Sequence, residues 1–196
     1  MQIKVMVLSA NPDQRSLNRV LADEIGKVLE AEGAEVSVRD VAQCGIDPAL
    51  SAEEARRRFS FDERVQAEQQ LIAEAELLVW VHPDWWGGMP ALLKGWLDRV
   101  LQPGFAFSFE EDQAGRIRRL PLLKGKRALA VITSDAAAEE PVPAAAIWQQ
   151  RVFSYCGFGP AEVMVLPELK ESAYAERKAF IETCGETAVR LLRGEE

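Results

Sequence analysis

The sequence predicts an α/β fold: a parallel sheet of five strands in the order 2-1-3-4-5, with helices on both faces. Three observations predict it. Short, nearly all-apolar runs rich in Val and Leu alternate along the chain with longer stretches of helical period. The runs end in polar or glycine-bearing loops, as strands buried on both faces do. No repeat, low-complexity tract or linker rich in Pro, Gly and Ser divides the 196 residues, of which 48% are hydrophobic, so one core and one domain over 1–196 are expected.

The first strand is "IKVMVLSA" (3–10), which stops at Asn11-Pro12-Asp13. Ser16 is placed as an N-cap, and Leu17, Val20, Leu21, Ile25, Val28 and Leu29 share one face of a helix running to about Glu32, where Gly33 ends it. "AEVSVRDV" (34–41) alternates in the manner of a half-buried edge strand. A less regular region follows, with "EEARRR" (53–58) read as a solvated helix face rather than a phosphate patch, and a charged amphipathic helix over 61–75.

"ELLVWVH" (76–82) is the next buried strand. Pro90 then opens a helix whose inner stripe is Leu93, Trp96, Leu97, Val100 and Leu101, with Lys94 and Asp98 paired outside. Residues 104–126 read as a long surface excursion rather than a regular element, a length usually tied to a site or an interface. "RALAVITS" (127–134) and "AEVMVLPEL" (161–169) are the last two buried strands, separated by a helix near 143–156. A final helix spans about 172–193, its inner face carrying Tyr174, Phe180, Ile181, Cys184, Ala188 and Leu191.

The balance of 31 acidic against 23 basic residues, a formal charge of −8, argues against duplex nucleic acid as a partner. Cys44, Cys156 and Cys184 match neither zinc spacing nor a redox pair and fit packing roles in a reducing cytoplasm. Neither a signal peptide nor a membrane span is expected.

In such a sheet, ligands bind beyond the carboxyl ends of the strands where the winding reverses. Three loops meet there: 9–18, 82–88 and 133–140. The first lacks the glycine patterns of dinucleotide folds and phosphate-binding ATPases, but offers Ser16 and the free amides of Leu17 and Asn18 at a helix N-terminus, an anion site by dipole and geometry. The second, "HPDWWGG", offers aromatic surface at Trp85 and Trp86 and bare backbone at Gly87 and Gly88, the means of holding a planar ring. His82, the only histidine, sits at the end of a buried strand and reads as a hydrogen-bonded structural residue, and Asp84 as the cap of its own turn.

The block "P-x-W-W-x-x-M-P-A-L-L-K-G-W-L-D-R-V" from Pro83, followed by "GFAF" and "LLKGKRALAVIT", resembles the flavodoxin-like NAD(P)H:quinone oxidoreductase family, with its three-layer sandwich. The resemblance implies a flavin, FMN or alternatively FAD, with its phosphate on the loop of Asn11, Ser16, Leu17 and Asn18. Its ring would meet Pro83, Asp84, Trp85, Trp86 and Gly87, and its pyrimidine edge Thr133, Ser134 and Asp135. It further implies NAD(P)H as co-substrate, a quinone-like flat acceptor and a homodimer with the site at the subunit boundary. At this length FMN is preferred.

The chain departs from the family in having Asn11 before Pro12 where many members have His, and Asp135 where a glycine-rich loop is common. A carboxylate there opposes charge gathering on a reduced flavin, so Asp135 must turn away or the potential falls. "AAAEEPVPAAAIW" offers no counterpart to the family's Tyr and His, and no catalytic acid is nominated. The alternatives are a regulatory or binding protein of the same fold with little flavin use, and an FMN reductase supplying a monooxygenase.

Overall fold

Burial sorts the strands first. Residues 5–9, 77–83 and 128–133 are buried throughout, whereas those of the second and last strands are mostly half-buried. This follows from position in the sheet. In the computed structural model, which describes residues 2–195, β1 (Lys4–Ser9), β2 (Glu35–Asp40), β3 (Leu77–Pro83), β6 (Arg127–Thr133) and β7 (Ala161–Leu166) pair in parallel in the order β2-β1-β3-β6-β7. The expected order and sandwich are therefore present. "AEVMVLPEL", expected as a buried strand, is instead the half-covered edge, because only β6 flanks it.

Two apolar layers flank the sheet. On one side α1 (Leu17–Ala31) and α7 (Tyr174–Arg193) bring Leu21, Ile25, Leu29, Cys184, Ala188 and Leu191 onto Val5, Val7, Leu77, Val79 and Val81. On the other, α3 (Glu63–Glu74), α4 (Ala91–Val100) and the segment 143–156 cover Met6, Leu8, Leu78 and Trp80. Alternation along β3 thus sends Leu77, Val79 and Val81 to one layer and Leu78 and Trp80 to the other.

Three further expectations need correction. Residues 104–126 contain a regular element, the antiparallel hairpin of β4 (Phe107–Glu111) and β5 (Ile117–Pro121). Asp112 closes its turn by accepting from the amides of Ala114 and Arg116, with Gly115 at φ +76°. Tyr174 is exposed rather than inward, since it is the first residue of α7 and precedes the buried stripe. The helix expected near 143–156 is composite: α5 (Pro143–Ala146), a π-helical stretch (Ile147–Phe153) and α6 (Ser154–Cys156).

"EEARRR" does lie in a solvated helix, α2 (Ala52–Arg57), which buries no residue. All three cysteines are free, and burial pushes the thiols of Cys156 and Cys184 up to about 11 and about 12, so they serve as inert packing groups. Among the described residues no helix is long and apolar enough to cross a membrane.

Candidate active site

Because the strands are parallel, the loops leaving β1, β3, β6 and β7 emerge on one edge of the sheet, and the direction of winding reverses between β1 and β3. A cavity of about 430 Å³ lies there. Its wall includes Asn11, Ser16, Leu17 and Asn18 from the first loop, Pro83, Asp84 and Trp85 from the second, and Thr133 and Asp135 from the third. A larger groove of about 500 Å³ between α1 and α7 is lined by helix side chains such as Val28, Glu182 and Arg190 and lies away from the strand ends.

Side-chain hydrogen bonds tie these loops together. Asn11 Nδ2–H donates to Asn18 Oδ1 at 2.9 Å, and Asn18 Nδ2–H donates to Thr133 Oγ1 at 3.0 Å in a buried contact. Asn11 Oδ1 in turn accepts from the Asp13 amide at 3.0 Å. Both asparagine side chains are therefore committed to the scaffold, and what the first loop presents outward is backbone. Ser16 caps α1 by accepting from Arg19 N–H, which leaves the amides of Leu17 and Asn18 without an acceptor among the described residues. Two free amides at the positive end of a 15-residue helix are able to donate to an oxyanion.

The second loop is a tight turn. Trp85 N–H donates to Gly88 O and Gly88 N–H to Trp85 O, at 2.9 and 3.1 Å, with positive φ at both central residues, 59° at Trp86 and 75° at Gly87. Glycine adopts this without cost, but tryptophan pays about 1 kcal/mol. Trp86 is fully exposed at the tip, Trp85 is half-exposed at the cavity wall, and Gly87 rests on Pro143, where a Cβ would stand 3.3 Å from the proline ring.

Asp84 does not cap its own turn. Its Oδ2 accepts from Ser134 Oγ–H at 3.0 Å, while its buried Oδ1 has no partner among the described residues. Ser134 is buried below the rim by that bond. Of the twelve residues the sequence nominates, Trp86, Gly87 and Ser134 are thus outside the cavity wall.

The sequence reading missed Leu169, Lys170 and Arg177, which complete the wall. Their signal was topological: the loop after β7 leaves the same edge as the other three. It is bound to the β6 loop by Leu169 N–H to Ser134 O and Glu168 N–H to Ala136 O, at 2.9 and 3.0 Å. Lys170 pairs with Asp135 at 2.7 Å on the exposed part of the wall, and the carboxylate beside it raises the lysine pKa. Arg177 donates to Ser172 Oγ and Leu169 O, fixing the loop and adding positive charge to the cavity.

His82 lies beneath the rim, fully buried, with both ring nitrogens engaged and no face on the cavity. Among the described residues no cluster suited to a metal ion exists.

The profile of a family described as having a flavodoxin-like fold matches residues 3–187. An uncharacterized NAD(P)H oxidoreductase of Haemophilus influenzae is 31% identical over 188 residues, covering 90% of each chain. A ribosyldihydronicotinamide dehydrogenase [quinone] of Pongo abelii is 28% identical, covering 91% of this chain and 87% of its own. The FMN complex of an FMN-dependent NADH-azoreductase from Bacillus anthracis superimposes with a TM-score of 0.76 at 16% identity, covering 97% of this chain and 99% of its own. The chain therefore belongs to the flavodoxin-like family that contains the NAD(P)H oxidoreductases and quinone reductases, and it is an oxidoreductase.

Proposed function

We propose that the protein is a flavin-dependent NAD(P)H oxidoreductase that reduces a quinone or similar flat acceptor, works with FMN, and acts as a homodimer in the cytoplasm. One observation carries the flavin reading. The rim cavity joins two acceptor-free helix amides, flanked by Lys170 and Arg177, to a wall formed by Trp85 and the Pro83–Asp84 backbone, a donor set that suits a phosphate at one end and a planar ring at the other. The names of the relatives and the FMN held by the azoreductase support the same reading.

In it, Ser16, Leu17 and Asn18 hold the phosphate, with Asn11 bracing their loop. Pro83, Asp84 and Trp85 face the ring and Thr133 and Asp135 lie at its pyrimidine edge, while Trp86 and Gly87 complete the turn that carries Trp85 and Ser134 braces Asp84 from below. When bound, the flavin supplies two-electron chemistry between a nicotinamide and an acceptor. The chain's own residues orient, neutralise and exclude water. The Asn11–Asn18–Thr133 bonds fix the spacing between phosphate site and ring site, and Lys170 keeps the Asp135 charge from opposing electrons placed beside it.

The decisive experiment is to purify the protein, record its absorbance near 450 nm, identify any flavin released on denaturation, and add NADH or NADPH with a benzoquinone. A yellow protein that releases FMN, bleaches with the nicotinamide and recovers its colour with the quinone is expected. A colourless protein that cannot be reconstituted overturns the reading in favour of a binding role, and turnover only with free FMN as acceptor favours an FMN reductase.

A further inference from the structure

The single histidine is a second point of interest at this rim. His82 is the penultimate residue of β3, beside Ile132 of β6, with its ring on the side covered by the helical segment 143–156. Its Nδ1 lies 2.8 Å from Pro83 O, and its Nε2 lies 2.7 Å from the indole Nε1 of Trp148. Chemistry then fixes the proton. An indole N–H can only donate, so Nε2 is bare; a carbonyl can only accept, so Nδ1 carries the hydrogen.

The consequence reaches the cavity wall. The Pro83 carbonyl accepts from His82 while the next amide, Asp84 N–H, donates to Thr133 O at 2.7 Å, so this peptide is held at both its oxygen and its nitrogen. The Trp85–Gly88 turn follows it directly and meets the same helical segment again where Gly87 rests on Pro143. Trp148 belongs to the π-helical stretch of that segment, a conformation frequent at functional sites. Packing alone does not require this arrangement. The apolar contacts of Trp148 with Trp80 at 4.9 Å and Phe153 at 5.4 Å, both tilted, fix the ring but do not call for a hydrogen bond to His82.

We propose that His82 is a positioning residue: locked as its Nδ1–H tautomer by Trp148, it clamps the Pro83–Asp84 peptide and so holds the ring-facing turn in one shape. The proposal rests on the flavin reading above. It also predicts a pH dependence. A proton on Nε2 would set two donors against each other, so acid opens the clamp. Burial pulls the imidazole down to about 4, against the opposing pull of the Pro83 carbonyl and the Asp84 carboxylate, and its neighbours Ile132 and Trp148 carry no titratable group. The clamp is therefore closed at neutral pH and opens only in strong acid.

The test compares the full-length protein with three variants, using FMN as the probe. FMN affinity is measured by fluorescence quenching from pH 8 to pH 4, and the imidazole is observed by ¹⁵N NMR, where one histidine gives one set of signals. A protonated Nδ1 and bare Nε2 are expected down to pH 5. His82→Leu should weaken FMN binding about tenfold. His82→Asn, whose amide N–H replaces the Nδ1–H, should recover to within about threefold. Trp148→Phe retains an aromatic ring at the site and leaves the imidazole in place, so it remains informative should His82→Leu fail to fold. It removes the donor that favours the neutral ring, and acid release of FMN should move up by about one pH unit with affinity at pH 8 little changed.

An Nε2–H tautomer, or wild-type affinity and acid release in all three variants, overturns the clamp. A wild-type protein that binds no FMN sinks the flavin reading instead, and the tautomer, with an upward shift of imidazole protonation in Trp148→Phe seen by NMR, still decides the clamp.

Discussion

Single residues explain where the sequence departs from simple helix and turn propensity. Gly95, in the middle of α4, is the clearest case, because helix propensity alone would favour alanine there by about 1 kcal/mol. A Cβ on Gly95 would stand 2.3 Å from the carbonyl oxygen of Pro48 and 2.4 Å from its Cα, and backbone cannot swing aside as a flexible side chain does. The glycine thus lets the 45–51 loop lie directly on α4. The overlap exceeds the propensity gain, and Gly95→Ala is expected to destabilise the fold by about 2 kcal/mol net. Urea unfolding with an unchanged slope measures it, and a neutral or stabilising effect would show that the loop can lift away freely. Trp86 poses the converse problem: an indole at φ 59°, strained and unsupported within one chain, is a residue whose cost is not recovered by any contact of the monomer.

At the scale of elements, α2 is too short to persist by itself, having six residues. Its persistence depends on Glu54, which completes a capping box with Ser51, accepts from Ser60 Oγ–H at 2.6 Å and pairs with the buried guanidinium of Arg99 at 2.7 Å. Arg99 also donates to Asp47 O, so α4 anchors both ends of the loop that Gly95 admits. Burial alone would raise the Glu54 pKa, but the hydrogen bonds from Ser60, Arg99 and Ser51 outweigh it and hold it at about 2. The sign follows from that depression. Glu54 contributes its full stability above its ordinary pKa of 4.5 and loses it as pH falls toward 2. Glu54→Gln should therefore cost on the order of 2 kcal/mol at pH 7 and flatten the decline in stability between pH 5 and pH 2. Urea midpoints measured across that range check it, and parallel curves for the two proteins would refute the assignment.

At the scale of the whole molecule, the sheet order and the location of the site were legible because both follow from periodicity and parallel topology. "IKVMVLSA", "ELLVWVH" and "RALAVITS" can be nothing but central strands, and their ends define the rim. What escaped the sequence reading depends on long-range pairing. The β4–β5 hairpin carries too few buried side chains to stand out from a loop, and Lys170 reveals its role only when β7 brings it to Asp135. Those illegible features also bear on assembly. The hairpin is tied to the domain through Phe107 and Arg119, which meet Tyr155, but Phe109 and Ile117 on it, and Trp86 at the turn tip, are exposed large apolar groups. A second copy of the chain that covers them would account for this exposure and for the strain at Trp86. Its formation is opposed by a charge of −8 on each subunit, so added salt should tighten the dimer by screening. Sedimentation velocity is expected to show a dimer at tens of micromolar protein in 150 mM salt, weaker at 10 mM, and Trp86→Ala combined with Ile117→Glu should shift it to monomer. A wild-type monomer under all these conditions would mean that the site is complete within one chain and that the exposed apolar groups await a different partner.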